Sequence, residues 1–312
     1  MKPPVNVTIV GMTPAVAALD VGGTSIKAAL YDADLKDLAS LREPTARGAD
    51  GEALADQVAR IVETLGKQAG TGTPDAVGVV IPGIVDEVER VARFSANLDF
   101  RNVPFGEMLD SRLGLPFAFG HDVRAGGLAE FRVGAGKGCT DAAFIPVGTG
   151  IAAALQLDGR LYAAGGQGGE IGHIDVGHRL PCGCGATGCL EAISSASAIA
   201  RRYSEHTGRP AEGAEQVVDA ARHGDEAAIS VVNDALEGLG HGIKTLVTLL
   251  APEVVVLGGG LFTAGDYVLE PVRAWLAANL QFQRMPELRI ARLGDEAGRL
   301  GAALLGLDLL KP

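Results

Sequence analysis

Three cysteines and a histidine fall within one short stretch: His173, then Cys182-Gly-Cys184-Gly-Ala-Thr-Gly-Cys189. Three thiolates and one imidazole are the donor set of a closed tetrahedral zinc site. With no coordination position left for water, such a metal would be structural. His178 is the alternative fourth ligand, and three incidental buried thiols are the bland reading. Two carboxylates, Glu170 and Glu191, flank the cluster in a glycine-rich setting. Acidic groups held on one such loop system suit the several hydroxyls of a sugar, which donate and accept together. Elsewhere the chemistry is that of anions. Gly22-Gly23-Thr24 can turn successive backbone N–H groups toward a phosphate, because glycine permits positive φ, and Asp20 at the mouth is placed to hold a hydrated Mg²⁺. An ordinary tight hairpin fits D-x-G-G-T equally well. Gly148-Thr149-Gly150 repeats the pattern, and two similar loops favour one shared triphosphate over two unrelated turns. Gly258-Gly259-Gly260 fits a third close approach, to a nucleoside, or a plain strand-to-helix turn. Asp122 lies between a predicted strand, Phe117–Phe119, and a helix; taken alone it reads as an N-cap.

These residues need elements to position them, and the apolar pattern supplies an α/β chain. Val16–Leu19 and Ile26–Tyr31 read as a hairpin around the first glycine turn, rather than as a strand entering a helix. Leu54, Val58, Ile61, Val62 and Leu65 mark a helix over Glu52–Gln68, followed by a buried strand at Ala76–Ile81. Further helices are predicted at Val123–Phe131, Glu191–Glu205, Glu215–Arg222, Asp225–Leu250 and Ala297–Leu310. Strands are predicted at Ala142–Pro146, Ile151–Leu157 and Val254–Leu257. The segment 17–34, AALDVGGTSIKAALYDAD, is echoed by 143–160, AFIPVGTGIAAALQLDGR. Two copies of a phosphate-sized hairpin imply a duplicated α/β domain with a cleft between the halves.

Composition narrows the class. The 312 residues allow two average domains, and 47% hydrophobic with 21% charged residues is a globular balance. The 44 glycines are about twice the usual share, which fits backbone loops that approach a ligand closely. A net charge of −11 with no basic run argues against nucleic acid as a partner. No stretch is long and apolar enough for a membrane span, and the first residues lack the pattern of a signal peptide, so a cytoplasmic protein is the expectation.

Taken in order, D20-V-G-G-T24, P82-G-I-V-D86, S95-A-N-L98, D122-V-R-A-G-G-L-A-E130, G148-T-G150, G169-E-I-G-H173, C182-G-C-G-A-T-G-C-L-E191 and L257-G-G-G260 resemble the ROK family of bacterial sugar kinases and related repressors. The resemblance covers nearly all of the chain after residue 15. It implies an actin-like, ribonuclease-H-like pair of α/β domains closing on ATP and a hexose, commonly as a homodimer or a dimer of dimers. The expected division is a tail over 1–14, a small domain of 15–121 plus 297–312, and a large one of 122–296 with the zinc loop.

The resemblance implies Asp122 as catalytic base; Asn97, His121, Glu170, His173 and Glu191 at the sugar; and Asp20 with the glycine turns at ATP and Mg²⁺. Two departures touch the sugar pocket: His121 stands where the family usually has Asn, and N-L-D-F-R replaces the commoner N-L-P-G-W after Asn97. Ser25 stands where many members have Lys, with Lys27 nearby. Repressor members carry an N-terminal DNA-binding segment, for which this chain is expected to have no room before its first strand. The activity expected is transfer of phosphate from ATP to the 6-hydroxyl of a hexose, glucose first. A kinase for fructose, mannose or an N-acetylhexosamine, and a non-catalytic sugar sensor, are the alternatives.

Overall fold

The structure, a computed structural model, describes residues 14–311. Of the tail expected over 1–14, all but Pro14 lies outside the described residues. Strands β1 (Val16–Val21) and β2 (Ser25–Tyr31) pair antiparallel around Gly22–Thr24, with Asp20 directly opposite Lys27. β3 (Asp37–Pro44) extends the hairpin beyond β2, and β4 (Ala76–Ile81) runs parallel to β1 on its other side. Between β1 and β4 the chain crosses over through α1 (Glu52–Ala69), whose buried Leu54, Val58, Ile61, Val62 and Leu65 form one stripe against the sheet. The chain then makes a small antiparallel sheet of β5 (Ile84–Asp86), β6 (Val91–Ser95) and β7 (Phe100–Val103), followed by α2 (Phe105–Leu113). β8 (Phe117–His121) closes the first large sheet beside β4, in the order β3-β2-β1-β4-β8.

After α3 (Asp122–Arg132) the plan repeats. β9 (Ala142–Pro146), β10 (Ala154–Leu157) and β11 (Arg160–Tyr162) form an antiparallel meander. β12 (Val254–Gly258) and β13 (Glu287–Ile290) add in parallel to β9, giving β11-β10-β9-β12-β13. The sheets share one topology, three antiparallel strands then two parallel ones, as the echo between 17–34 and 143–160 predicts. Helices α4 (Leu190–Ser194), α5 (Ala196–Thr207), α6 (Ala214–Arg222), α7 (Glu226–Leu250) and α8 (Asp266–Asn279) supply the second sheet's large apolar core.

The last helix, α9 (Ala297–Asp308), returns to the first sheet. Its Ala302 and Ala303 pack with Ala18, Ala29, Tyr31 and Val80. The approach is close enough to require glycine: a Cβ on Gly78 would sit 1.9 Å from the Ala302 carbonyl oxygen, and one on Gly301 2.0 Å from that of Ala125. α3 packs on α9, and its Gly127 faces Ala154 of β10, so the α3–α9 pair stands between the two large sheets.

Some predicted boundaries change. The helix expected over Glu191–Glu205 is broken at Ser195, whose extended backbone (φ −65°, ψ 154°) ends α4 while its Oγ accepts the Ala198 N–H at 3.1 Å and caps α5. The strand expected over Ile151–Leu157 begins only at Ala154, because Ala153 donates to the carbonyl of Gly169 at 2.7 Å instead of to a neighbouring strand. The small sheet β5–β7, α2, β3 and α8 go beyond the predicted elements.

Candidate functional site

The two glycine turns sit at matching corners of the two sheets. In the first, Gly22 N–H donates to the Ser25 carbonyl at 3.0 Å, while Thr45 Oγ1 donates to the Gly22 carbonyl at 2.7 Å. Neither Gly22 nor Gly23 has positive φ, which corrects the reason given above for glycine here. What the turn needs is the absent side chain: a Cβ on Gly23 would lie 3.2 Å from both the Cβ and the carbonyl oxygen of Asn97. Arg47 ties the same two residues by donating to the carbonyls of Gly23 and Asn97. The turn is thereby joined to Asn97.

In the second turn Gly148 and Gly150 also lack positive φ. Ser197 Oγ donates to the Thr149 carbonyl at 2.6 Å. Glu191 Oε2 accepts the Ile151 N–H at 2.8 Å, and a Cβ on Gly150 would be 2.5 Å from that same oxygen. Gly259 does adopt positive φ (86°), and its Cβ would fall 2.1 Å from the Val147 carbonyl oxygen, so the third glycine turn lies against the second. Gly258 packs against Phe144 and Ala291, and Gly260 faces Glu215. A cavity of about 560 Å³ beside Thr149 and Glu191 is walled by Ser195, Ser197 and Arg201.

Acidic groups converge where the halves meet. Burial, followed by the charges of Asp122 and Asp295, pushes the Asp20 carboxyl up to about 7 against the opposing pull of Lys27 and Arg299. Lys27 Nζ lies 3.5 Å from Asp295. A Cβ on Gly298, in the first turn of α9, would touch Asp20 Oδ2 at 2.6 Å. A partly buried carboxylate whose pKa is raised has chemistry that suits a hydrated divalent cation. Glu170 is raised by desolvation and by Glu191 and Asp122, with His173 and Arg124 acting the other way. Asp20, Asp122, Glu170, Glu191 and His173 therefore share one electrostatic neighbourhood.

Asp122 opens α3, and His121 is the N-cap, its Nδ1 accepting the Arg124 N–H at 3.3 Å. Arg124, 1% exposed, donates to Glu87 Oε1 at 2.8 Å and to the carbonyls of Val85 and Gly166. Glu130, also of the quoted D-x₇-E motif, is fully buried. It accepts the N–H groups of Ala135 and Leu293 and closes the far end of α3. Phe100, within the departing N-L-D-F-R segment, is a core residue packed with tilted rings against Phe105 at 5.4 Å between centroids, so it anchors the small sheet rather than lining a pocket.

The four sulfur and nitrogen donors meet as predicted. One ligand atom from each of His173, Cys182, Cys184 and Cys189 lies within 4.8 Å of all the others. The Cys184–Cys189 sulfurs are 3.7 Å apart and His173 Nδ1 is 3.8 Å from Cys182 Sγ. The edge of a tetrahedron with 2.3 Å zinc–sulfur bonds is about 3.8 Å, so the residues fit the metal. His178 is turned away: its Nε2 meets the Cys189 carbonyl at 2.9 Å and its Nδ1 accepts the Leu180 N–H at 3.0 Å. With both nitrogens committed, it is not the fourth ligand. Thr45, Arg47, Glu87 and Gly298 reach the site from distant segments, so spacing along the sequence does not reveal them, while Arg124 lies within the quoted D122–E130 motif and Ser197 six residues after Glu191.

Comparison with known proteins agrees with this geometry. The ROK family profile matches residues 16–308. The glucokinase of Streptomyces coelicolor is 31% identical over 93% of this chain and 96% of its own, and the N-acetylgalactosamine kinase of Shewanella sp. strain ANA-3 is 32% identical over 93% and 96%. Among solved structures, the ROK family glucokinase of Streptomyces griseus in complex with glucose and AMPPNP superposes with a TM-score of 0.78. It shares 29% identity and covers 94% of this chain and 99% of its own. The duplicated sheets, the paired glycine turns and the acidic cleft are thus those of an actin-like sugar kinase fold, and this chain belongs to the ROK family as a sugar kinase.

Proposed function

We propose that the protein transfers the γ-phosphoryl group of ATP to the 6-hydroxyl of a hexose, with glucose the preferred acceptor. The observation that carries this reading is the placement of Asp122 at the start of α3, within the electrostatic reach of Asp20 on one side and Glu170 on the other. Asp122 takes the proton from the hydroxyl as its oxygen bonds to phosphorus and the bond to the ADP leaving oxygen breaks. A loose transition state asks mainly for positioning and charge neutralisation, so one base and oriented amides suffice. Gly22–Thr24 and Gly148–Gly150 hold the phosphates, and Gly258–Gly260 the nucleoside. Asp20 would hold Mg²⁺ through water, and that ion, when bound, would neutralise phosphate charge. Asn97, Glu170 and Glu191 bind sugar hydroxyls.

His173 serves metal and sugar together. Its Nδ1 faces the thiols, so zinc there would leave the proton on Nε2 as a fixed donor to a sugar hydroxyl. The zinc is structural; Cys184→Ser should lose it and lower thermal stability, and less than about half an equivalent of zinc in fully active protein would overturn the assignment. Residues 15–121 with 297–312, and 122–296, act as the two closing halves. Homodimers and a cytoplasmic setting, where thiols stay reduced, complete the reading.

A hexose panel with coupled ADP detection tests the substrate, with the highest kcat/KM expected for glucose. The kinship with an N-acetylgalactosamine kinase and the altered segment after Asn97 favour an N-acetylhexosamine as the second reading, and a higher kcat/KM on that class would select it. No ADP with any sugar would sink both. For the base, Asp122→Asn should lose about 10²–10⁴-fold in kcat, and a folded variant that kept more than a few per cent of turnover would refute the role.

A further inference from the structure

His121 replaces the asparagine that the family resemblance places before the catalytic aspartate, and the residue is 7% exposed. Its Nδ1 accepts the backbone N–H of Arg124 at 3.3 Å, and its Nε2 lies 3.4 Å from Asp122 Oδ1. An amide N–H can meet only an unprotonated ring nitrogen, so a neutral imidazole here carries its proton on Nε2, facing Asp122. Burial holds the ring below its ordinary pKa; Asp122 and Glu87 act against that, and Arg124 adds to it. The ring is also fixed in place. Glu87 Oε1 accepts both the His121 backbone N–H at 3.4 Å and Arg124 Nε at 2.8 Å, so cap, strand end and helix start are tied to one carboxylate.

Asp122 Oδ1 accepts one hydrogen bond, the Val123 N–H at 2.7 Å, and the His121 ring stands beside that same oxygen. Among the described residues no hydrogen bond reaches Oδ2. One oxygen of the base therefore lies between the Val123 N–H and the His121 ring, and the other is left for substrate. We propose that His121 is a positioning residue: its Nε2, in polar contact with Oδ1 at 3.4 Å, orients the Asp122 carboxylate with Oδ2 as the proton acceptor, and it does not itself bind sugar. This rests on Asp122 being the base.

The test compares His121→Asn and His121→Gln. Asparagine keeps an N-cap acceptor for the Arg124 N–H but is too short to serve as donor to Asp122, whereas glutamine's amide can replace the imidazole donor. His121→Asn should lower kcat about tenfold to a hundredfold with sugar KM within twofold, and His121→Gln should recover part of the loss. In an Asp122→Asn background, His121→Asn should cost no further turnover, because the group it orients is gone. A tenfold rise in sugar KM at unchanged kcat would make His121 a sugar ligand and overturn the proposal. Independent, multiplying losses in the double variant would overturn it in favour of a purely structural role. Full turnover by Asp122→Asn alone would instead remove the base reading, and the proposal with it.

Discussion

The two hairpins share one topology and spend their outer strands differently. In the first, β2 pairs with β3 along its length, and the working group is a carboxylate at the strand end, Asp20. In the second, Pro146 stands at the corresponding place, Ile151 keeps a single antiparallel bridge to Val147, and Ala152 and Ala153 lie outside the strands. Ile151 gives its N–H to Glu191 and Ala153 gives its N–H to Gly169. Cβ atoms on Gly169 and Gly172 would fall 1.9 Å and 2.1 Å from the carbonyl oxygens of Ala153 and Ile151, so the loop bearing Glu170 and His173 lies flat on that strand. Duplication thus yields one scaffold twice. The first copy keeps its hairpin closed and carries charge, while the second opens its hairpin to seat the loop that carries Glu170 and His173.

Breaking the second copy should have the largest effect. Gly169→Ala puts a side chain on a carbonyl oxygen at a φ of +94°, so the loop must lift from its strand. Sugar kcat/KM should fall more than a hundredfold, whereas Gly22→Ala, whose nearest neighbour is a carbonyl oxygen at 3.1 Å, should cost less than tenfold. Equal losses in steady-state assays would erase the distinction between the hairpins.

The charge of the first copy makes a prediction about stability. Asp20 is raised in the folded state to about 7 from an ordinary 3.8, so the native protein binds more protons than the unfolded chain between those values. Its ionisation is thus a cost that is absent below about pH 4, grows as pH rises, and is complete above about pH 7. Asp20→Asn should raise the melting temperature by a few degrees at pH 8 and leave it unchanged near pH 4. Added Mg²⁺ should stabilise the wild type at pH 8 and not the variant. A variant no more stable than wild type at pH 8 would show that Asp20 bears no such cost.

The smallest effect is expected where the copies agree. Each turn has one carbonyl strapped by a hydroxyl from outside, Gly22 by Thr45 and Thr149 by Ser197. Thr45→Val and Ser197→Ala should each raise the KM for ATP about twofold to fivefold, in line with loss of one neutral hydrogen bond. A large effect at one strap alone would mean that the phosphates lean on a single hairpin.

What could be read from the sequence follows from how local each signal is. The hairpins, α1, α7 and β12 announce themselves by apolar spacing and by the glycines at their ends, and the metal cluster by four donors within seventeen residues. The break between α4 and α5 was hidden because no glycine or proline interrupts residues 190–205; only the cap made by Ser195 divides them. The small sheet went unseen because β5 has three residues and its partners are held by Phe100 packing against Phe105. Arg124, Glu87, Thr45 and Gly298 act across separations of tens to hundreds of residues, where spacing carries no information.

The return of α9 to the first sheet has a consequence in time. One face of β1, β2 and β4, with Ala18, Ala29, Tyr31 and Val80, is covered by Ala302 and Ala303. At synthesis rates of about 5–20 residues per second, those alanines leave the ribosome on the order of ten seconds or more after the strands they cover. Through that interval the first sheet has its α1 face closed and the opposite face bare. The chain is then at its most exposed to wrong partners and to chaperones, and a pause in translation shortly before residue 297 would prolong that exposure.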